Sequence, residues 1–171
     1  MRSLLSVAVI FACTACATQP TSSPLEIGNK VDFSLLEDQF GNSFRFEKNM
    51  ELLIFTDDMQ ASRDVRDAMG KVAPGCYEQG KLVFMADISG MPRLITRLIA
   101  LPKMRDYGFP VWLDYEGDAT GALPVKDEFI SMISINNGAI TDIDFVIGGD
   151  AVLSVIGPLC GLKSEQIAKA I

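Results

Sequence analysis

The chain has 171 residues, of which 49% are hydrophobic and 22% charged, a balance that suits one folded domain with a short appendage rather than a disordered chain. Its net charge of −7 argues against a nucleic-acid or anionic-lipid surface, which needs clustered Lys and Arg. It has no His, so Ser-His-Asp and Cys-His mechanisms, a His general base and a His metal site are all excluded.

The amino terminus reads as an address. Met1-Arg2-Ser3 is a short basic start, and Leu4 to Ala12 is an apolar run. That run is too short to span a bilayer, which needs ~20 apolar residues, but it fits the core of an export signal. Thr14-Ala15-Cys16 followed by a Ser/Thr/Pro tract resembles a bacterial lipoprotein signal, with Cys16 as the lipidated first mature residue. Cys13 stands where that pattern usually has Leu, and it is a weaker alternative site. Ordinary cleaved secretion and an uncleaved apolar start are the other readings. The expected division is a signal peptide at 1–15, a tether at 16–26 and a domain at 27–171. The resemblance implies a membrane partner engaged through acyl chains such as palmitate. Ala17 after the Cys, in place of an Asp, favours the outer membrane, with the domain in the periplasm.

In chain order, Val31 to Leu36 predicts a strand with Val31, Phe33 and Leu35 on one face. Gly41-Asn42 predicts a turn, with Ser43 to Phe46 returning as the hairpin partner. Glu51 to Phe55 is a continuous apolar strand, the pattern of a sheet buried on both faces. Val65, Ala68, Met69 and Val72 predict a helix over 62–72 with Ser62 as its cap. Lys81 to Ala86 is a second buried strand. Met91 to Met104 reads as a helix with Leu94, Ile95, Leu98, Ile99 and Leu101 inward, Pro92 in its first turn and Pro102 ending or kinking it. Phe109 to Leu113 is a third apolar strand, and Asp118 to Leu123 a short helix. Phe129 to Ile135 and Ala139 to Val146 flank Asn137-Gly138, a strong hairpin signal because both central turn positions want positive φ. Ala151 to Ile156 and Ser164 to Ile171 are helices separated by Gly157-Pro158 and Gly161. The fold class is α/β, a central mixed sheet flanked by helices with an N-terminal β-hairpin.

This order resembles the thioredoxin-like superfamily, in particular its redoxin branch of peroxiredoxins and membrane-anchored thioredoxins. Gly28 to Leu35 is similar to the family's Asp-Phe-x-Leu lead-in, and Asp38-Gln39-Phe40-Gly41 to the hairpin after it. Leu52 to Phe55 matches the strand that carries the active-site loop. Phe109-Pro110-Val111 and Ile133 to Gly138 match later segments. The departure lies in the loop itself. Where the family places a nucleophilic Cys, this chain reads Thr56-Asp57-Asp58-Met59-Gln60-Ala61-Ser62-Arg63. Gln60 and Arg63 fall near the positions of a Cys-x-x-Cys pair. The family's cis-Pro should fall near Ile130. Thiol-disulfide exchange and thiol peroxidase chemistry both need a thiolate, so no catalytic residue and no cofactor is carried over.

Other residues offer further chemistry. Cys76 and Cys160 form a structural disulfide, remain as separate buried thiols, or act as a redox pair. Asp57, Asp58, Asp87 and Asp114 each follow a predicted strand, and the carboxyl edge of an open α/β sheet is where ligands usually bind. They suit either hard-cation binding or ordinary helix capping and turns, with Arg63 and Arg66 near enough to neutralise them. The Met residues and Trp112 read as core. No Gly-x-Ser-x-Gly surrounds Ser3 or Ser154, and Gly148-Gly149 lack the rest of a phosphate loop. The expectation is a redox-inactive binding or structural module with a periplasmic protein or peptide partner and no nucleic acid. The alternatives are a divergent thiol-disulfide oxidoreductase using Cys76 and Cys160, or a carboxylate metal-binding protein.

Overall fold

Two apolar runs make the centre of the sheet. The computed structural model describes residues 23–171. In it β2 (Leu52–Thr56) and β3 (Leu82–Asp87) are parallel neighbours, buried along almost their whole length. Successive side chains of a strand point to opposite faces, so each strand feeds two cores. Leu52, Ile54, Leu82 and Phe84 enter one, and Leu53, Phe55, Val83 and Met85 enter the other. Burial on both faces is what an unbroken apolar run requires.

The sheet has six strands in the order β1-β4-β3-β2-β5-β6. β4 (Trp112–Asp114) runs parallel to β3, and the short β1 (Glu37–Asp38) runs antiparallel to β4. On the other side β5 (Ile130–Asn136) is antiparallel to β2, and β6 (Ala139–Val146) is antiparallel to β5. Asn137 and Gly138 both take positive φ, 49° and 79°. That is the geometry an Asn-Gly hairpin turn needs, and it sets the register of the β5–β6 pair.

Helices cover the first core. α1 (Met59–Met69) crosses from β2 to β3 and buries Ala61, Val65, Ala68 and Met69. α2 (Gly75–Glu78) is a single turn carrying buried Cys76. α5 (Gly149–Leu159) closes the same face with Val152, Leu153 and Ile156, and α6 (Ser164–Ala170) adds Ile167. α5 lies close on α1: a Cβ at Gly149 would stand 3.0 Å from the Asp64 carbonyl oxygen. The second core is closed by the segment before β2, with Phe33, Leu36, Phe44 and Met50, and by Leu123. Among the described residues the backbone tie nearest the amino terminus is that of Leu25, whose N–H donates to the Ala122 carbonyl, inside the stretch expected to be tether.

Several expectations are corrected. The lead-in 31–36 is not a strand. The Ser34 N–H donates to the Asp32 carboxylate and turns the chain, so Leu36 is buried in place of Leu35, which is 83% exposed. Its hairpin partner shrinks to one bridge, Glu37 with Ser43. α1 starts at Met59 rather than Ser62, because Asp58 is the cap. Residues 118–123 form turns, not a helix. α5 runs on through Gly157 and Pro158. The proline leaves only the carbonyl of exposed Ser154 without its helical donor, so solvent can satisfy it.

The largest correction concerns residues 91–104. They form α3 (Arg93–Ile95), a π-helical turn (Thr96–Ala100) and α4 (Leu101–Met104). Pro102 has no N–H for the Leu98 carbonyl, and the ladder widens in the turn before it. Thr96 is buried, and Leu101 and Met104 pack against the first core. Leu94, Ile95, Leu98 and Ile99, expected inward, are 68%, 42%, 64% and 59% exposed. The first core is filled here by Phe109, Val111, Tyr77 and Tyr107 together with Leu101 and Met104.

A buried amide fastens this half of the molecule. Gln39 Nε2 donates to the carbonyls of Phe109 at 2.7 Å and Met104 at 3.2 Å, and Gln39 Oε1 accepts from the Val111 N–H at 2.8 Å. The side chain thus supplies the hydrogen bonds that the approach to β4 would otherwise lack.

Candidate functional site at the carboxyl edge of the sheet

β2, β3 and β4 are parallel, so their carboxyl ends share one edge, and Asp57, Asp87 and Asp114 stand there. Each Asp is placed by the local chain. Asp58 Oδ1 accepts from the N–H groups of Gln60 at 2.7 Å and Ala61 at 2.8 Å, capping α1. Asp87 accepts from the Ser89 N–H. Asp114 is buried and fully engaged: Oδ1 accepts from the N–H groups of Glu116 and Gly117, and Oδ2 from the N–H and hydroxyl of Thr120.

Asp57 differs from its neighbours. Partial burial pushes its carboxyl above the usual carboxylate range. A hydrogen bond from its own backbone pulls the other way, while the charges of Asp87, Asp58 and Asp127 push it further up. Neither arginine expected to neutralise this corner pairs with it. Arg66 binds the Asp67 carboxylate at 2.7 Å, and Arg63 reaches Gln60 Oε1 and the Met59 sulfur. Gln60 Nε2 in turn donates to Asp64. Beneath the corner the hydroxyls of Thr56 and Ser62 lie 2.7 Å apart and satisfy each other. Among the described residues no three carboxylates or thiols converge as metal ligands.

The edge continues into the loop before β5. Glu128 there takes a φ of 67°, which is uncommon outside glycine, and no peptide bond among the described residues is cis. A shallow depression of about 290 Å³ lies at the end of β4, lined by Leu35, Glu37, Asp114, Tyr115 and Ala119. Burial and the nearby Glu37 carboxylate push the Tyr115 phenol up. A larger open groove of about 580 Å³ lies at the other end of β3, between Phe44, Glu47, Tyr77, Leu82 and Trp112.

No protein-family model matches the chain, and no curated protein matches it. Solved structures do resemble it. A proposed protein disulfide isomerase from Bacteroides thetaiotaomicron superposes with a TM-score of 0.50 at 11% identity, over 80% of this chain and 91% of that one. A hypothetical protein from Sinorhizobium meliloti 1021 gives 0.50 at 19% identity, over 82% and 88%. A thioredoxin-like protein from Porphyromonas gingivalis gives 0.49 at 13%, over 81% and 94%. The chain has a thioredoxin-like fold.

In this thioredoxin-like domain the β2–α1 corner holds Asp57, Asp58, Met59 and Gln60, with Arg63 one turn on, and no thiol. The two Cys residues of the domain meet elsewhere: Cys76 of α2 and Cys160 at the end of α5 form a disulfide, with Cα atoms 5.2 Å apart. Cys16 lies outside the described residues. Sequence reasoning missed the buried Gln39 clamp and the exposed stripe on α3 and the π-turn. The Asp38-Gln39-Phe40-Gly41 motif marked the first position without giving its role. The basic residues among 93–105 were the unused signal for the second.

Proposed function

We propose that this chain is a redox-inactive thioredoxin-like lipoprotein of the cell envelope, acting as a binding or structural module. The observation that carries the reading is the β2–α1 corner. It offers carboxylates, an amide and a thioether at the head of α1, and no group that becomes a thiolate there. Thiol chemistry at a helix N-terminus depends on the positive end of the helix stabilising S⁻. Here that end is occupied by the Asp58 carboxylate. The corner is therefore a surface for docking a protein or peptide, not for electron transfer.

The membrane anchor is the second part of the proposal. Cys16 would carry the lipid and hold the domain at the outer membrane facing the periplasm. Incorporation of a palmitate analogue that is lost in Cys16→Ser, together with outer-membrane fractionation, tests it. A soluble periplasmic product with unchanged mass at Cys16 would refute it.

Two alternatives receive less support. A thiol-disulfide enzyme needs an accessible sulfur, whereas Cys76 is buried in the first core and Cys160 is half-buried against it. A metal site needs converging carboxylates, whereas among the described residues no three converge, Asp58 Oδ1 caps α1, and both oxygens of Asp114 accept from its own loop. Assay of the purified protein for insulin reduction and hydroperoxide turnover decides the main claim. The expected rate is that of the buffer control, unchanged in Cys76→Ser/Cys160→Ser. Turnover that the double variant abolishes would overturn it.

A further inference from the structure

We propose that α3, the π-turn and α4 form an interfacial membrane-docking surface that lies on a bilayer with anionic phospholipid headgroups. The segment presents a continuous apolar stripe. Leu94, Ile95, Leu98 and Ile99 recur at the spacing of one helical face and are all well exposed. Thr96 and Ala100 face the body of the domain, so the stripe points away from it.

Charge identifies the occupant. Residues 91–105 hold four basic residues, Arg93, Arg97, Lys103 and Arg105, and no acidic one, in a chain of net charge −7. Each of the four is exposed. Glu116 pairs with Arg93 at 2.8 Å, Asp106 follows Arg105 in the chain, and Glu37 and Asp38 share the surroundings of Tyr115 with Arg105. The Nε–H of Arg105 donates to the Gln39 carbonyl. Arg97 and Lys103 make no ion pair among the described residues. A short helix with an apolar face and Lys/Arg beside it is the pattern that lies in a headgroup layer. A protein partner with an apolar groove would not by itself require the basic flank. The clustered cations that the overall charge argued against are thus present locally. Among the described residues no helix is long and apolar enough to cross a membrane, so the segment would lie on the bilayer rather than span it.

The inference stands apart from the lipid anchor, but the two fit. The backbone between Cys16 and Leu25 can extend at most about 30 Å, so a lipid on Cys16 would keep the domain near the bilayer and raise the effective concentration of its surfaces there.

The test is vesicle sedimentation of the full chain with phosphatidylcholine alone and with added phosphatidylglycerol, at low and high salt. Hydrogen exchange over residues 93–104 is followed in parallel. Whatever the segment before Ser23 contributes to vesicle binding is the same in every variant, so the comparison isolates the surface. The expected result is tighter binding with phosphatidylglycerol, weakened by salt, and slowed exchange over 93–104. Binding should fall roughly fivefold for each basic residue removed, so Arg97→Gln/Lys103→Gln should lose about 25-fold. Leu98→Ser/Ile99→Ser should lose binding on both vesicle types, with an unchanged circular dichroism spectrum. Binding that ignores phosphatidylglycerol and all four substitutions would overturn the proposal. So would self-association that Leu98→Ser/Ile99→Ser abolishes without any exchange change on vesicles, which would assign the stripe to a second copy of the chain. Failure of Cys16 labelling leaves these measurements intact, so the two readings fail separately.

Discussion

The two crossover helices of the parallel sheet have similar apolar periodicity and opposite fates. α1 turns Ala61, Val65, Ala68 and Met69 inward and packs against α5. The α3–α4 crossover turns Thr96 inward and leaves Leu94, Ile95, Leu98 and Ile99 in solvent. A repeat of apolar residues reports that a face exists. What that face meets is decided by how much core remains to be covered, and from this crossover Thr96 is buried while only Leu101 and Met104 pack against the first core.

The contrast can be broken most strongly on the α1 side. Cys76→Ser/Cys160→Ser removes a bond closing a separation of 84 residues, worth about 4–5 kcal/mol in the chain-entropy model, and should lower the urea midpoint accordingly. Met69→Ala leaves a cavity in the first core and should cost about 2–5 kcal/mol in the same measurement. Leu98→Ala removes similar apolar bulk from the other crossover and should change stability by less than about 0.5 kcal/mol. Equal costs at the two positions would mean that the stripe is buried in solution.

Asp58→Ala removes the cap of α1 and should cost about 1 kcal/mol, recovered for the most part by Asp58→Asn. Asp57 gives the smallest effect and a pH signature. Its folded pKa is raised, so the fold penalises the charged form. Between the unfolded and folded pKa the native state binds more protons, and stability falls as pH rises through that window. Asp57→Asn should therefore be slightly more stable than the parent at neutral pH, within about 0.5 kcal/mol. The difference should vanish once the pH drops below the ordinary Asp range. A difference that persists in acid would point to packing instead.

Some of this was legible in the residues. The β2 and β3 runs and the Asn137-Gly138 turn are local signals, and the structure follows them. The lead-in departs from its alternating pattern because the Asx turn at Asp32 depends on one hydrogen bond that alternation does not register. The start of α1 was misread because apolar periodicity begins inside a helix, after its cap. Asp57 and Asp58 follow β2 as their place in the chain dictates, while Arg66 turns to Asp67 and Arg63 to Gln60 and Met59, choices of rotamer that spacing does not encode. The meeting of Cys76 and Cys160 depends on α5 packing back against α1 on the face that carries α2, which no local pattern encodes.

The Cys76–Cys160 bond also changes what a single cut can do. It joins the short α2 before β3 to the end of α5, so everything from Tyr77 to Leu159 lies inside one covalent ring. A protease acting on any loop within that ring would open it without releasing a fragment. The nicked chain would migrate as one band until reductant is added. In a compartment exposed to proteases, damage to the exposed α3–α4 crossover would leave the two halves of the domain tied together.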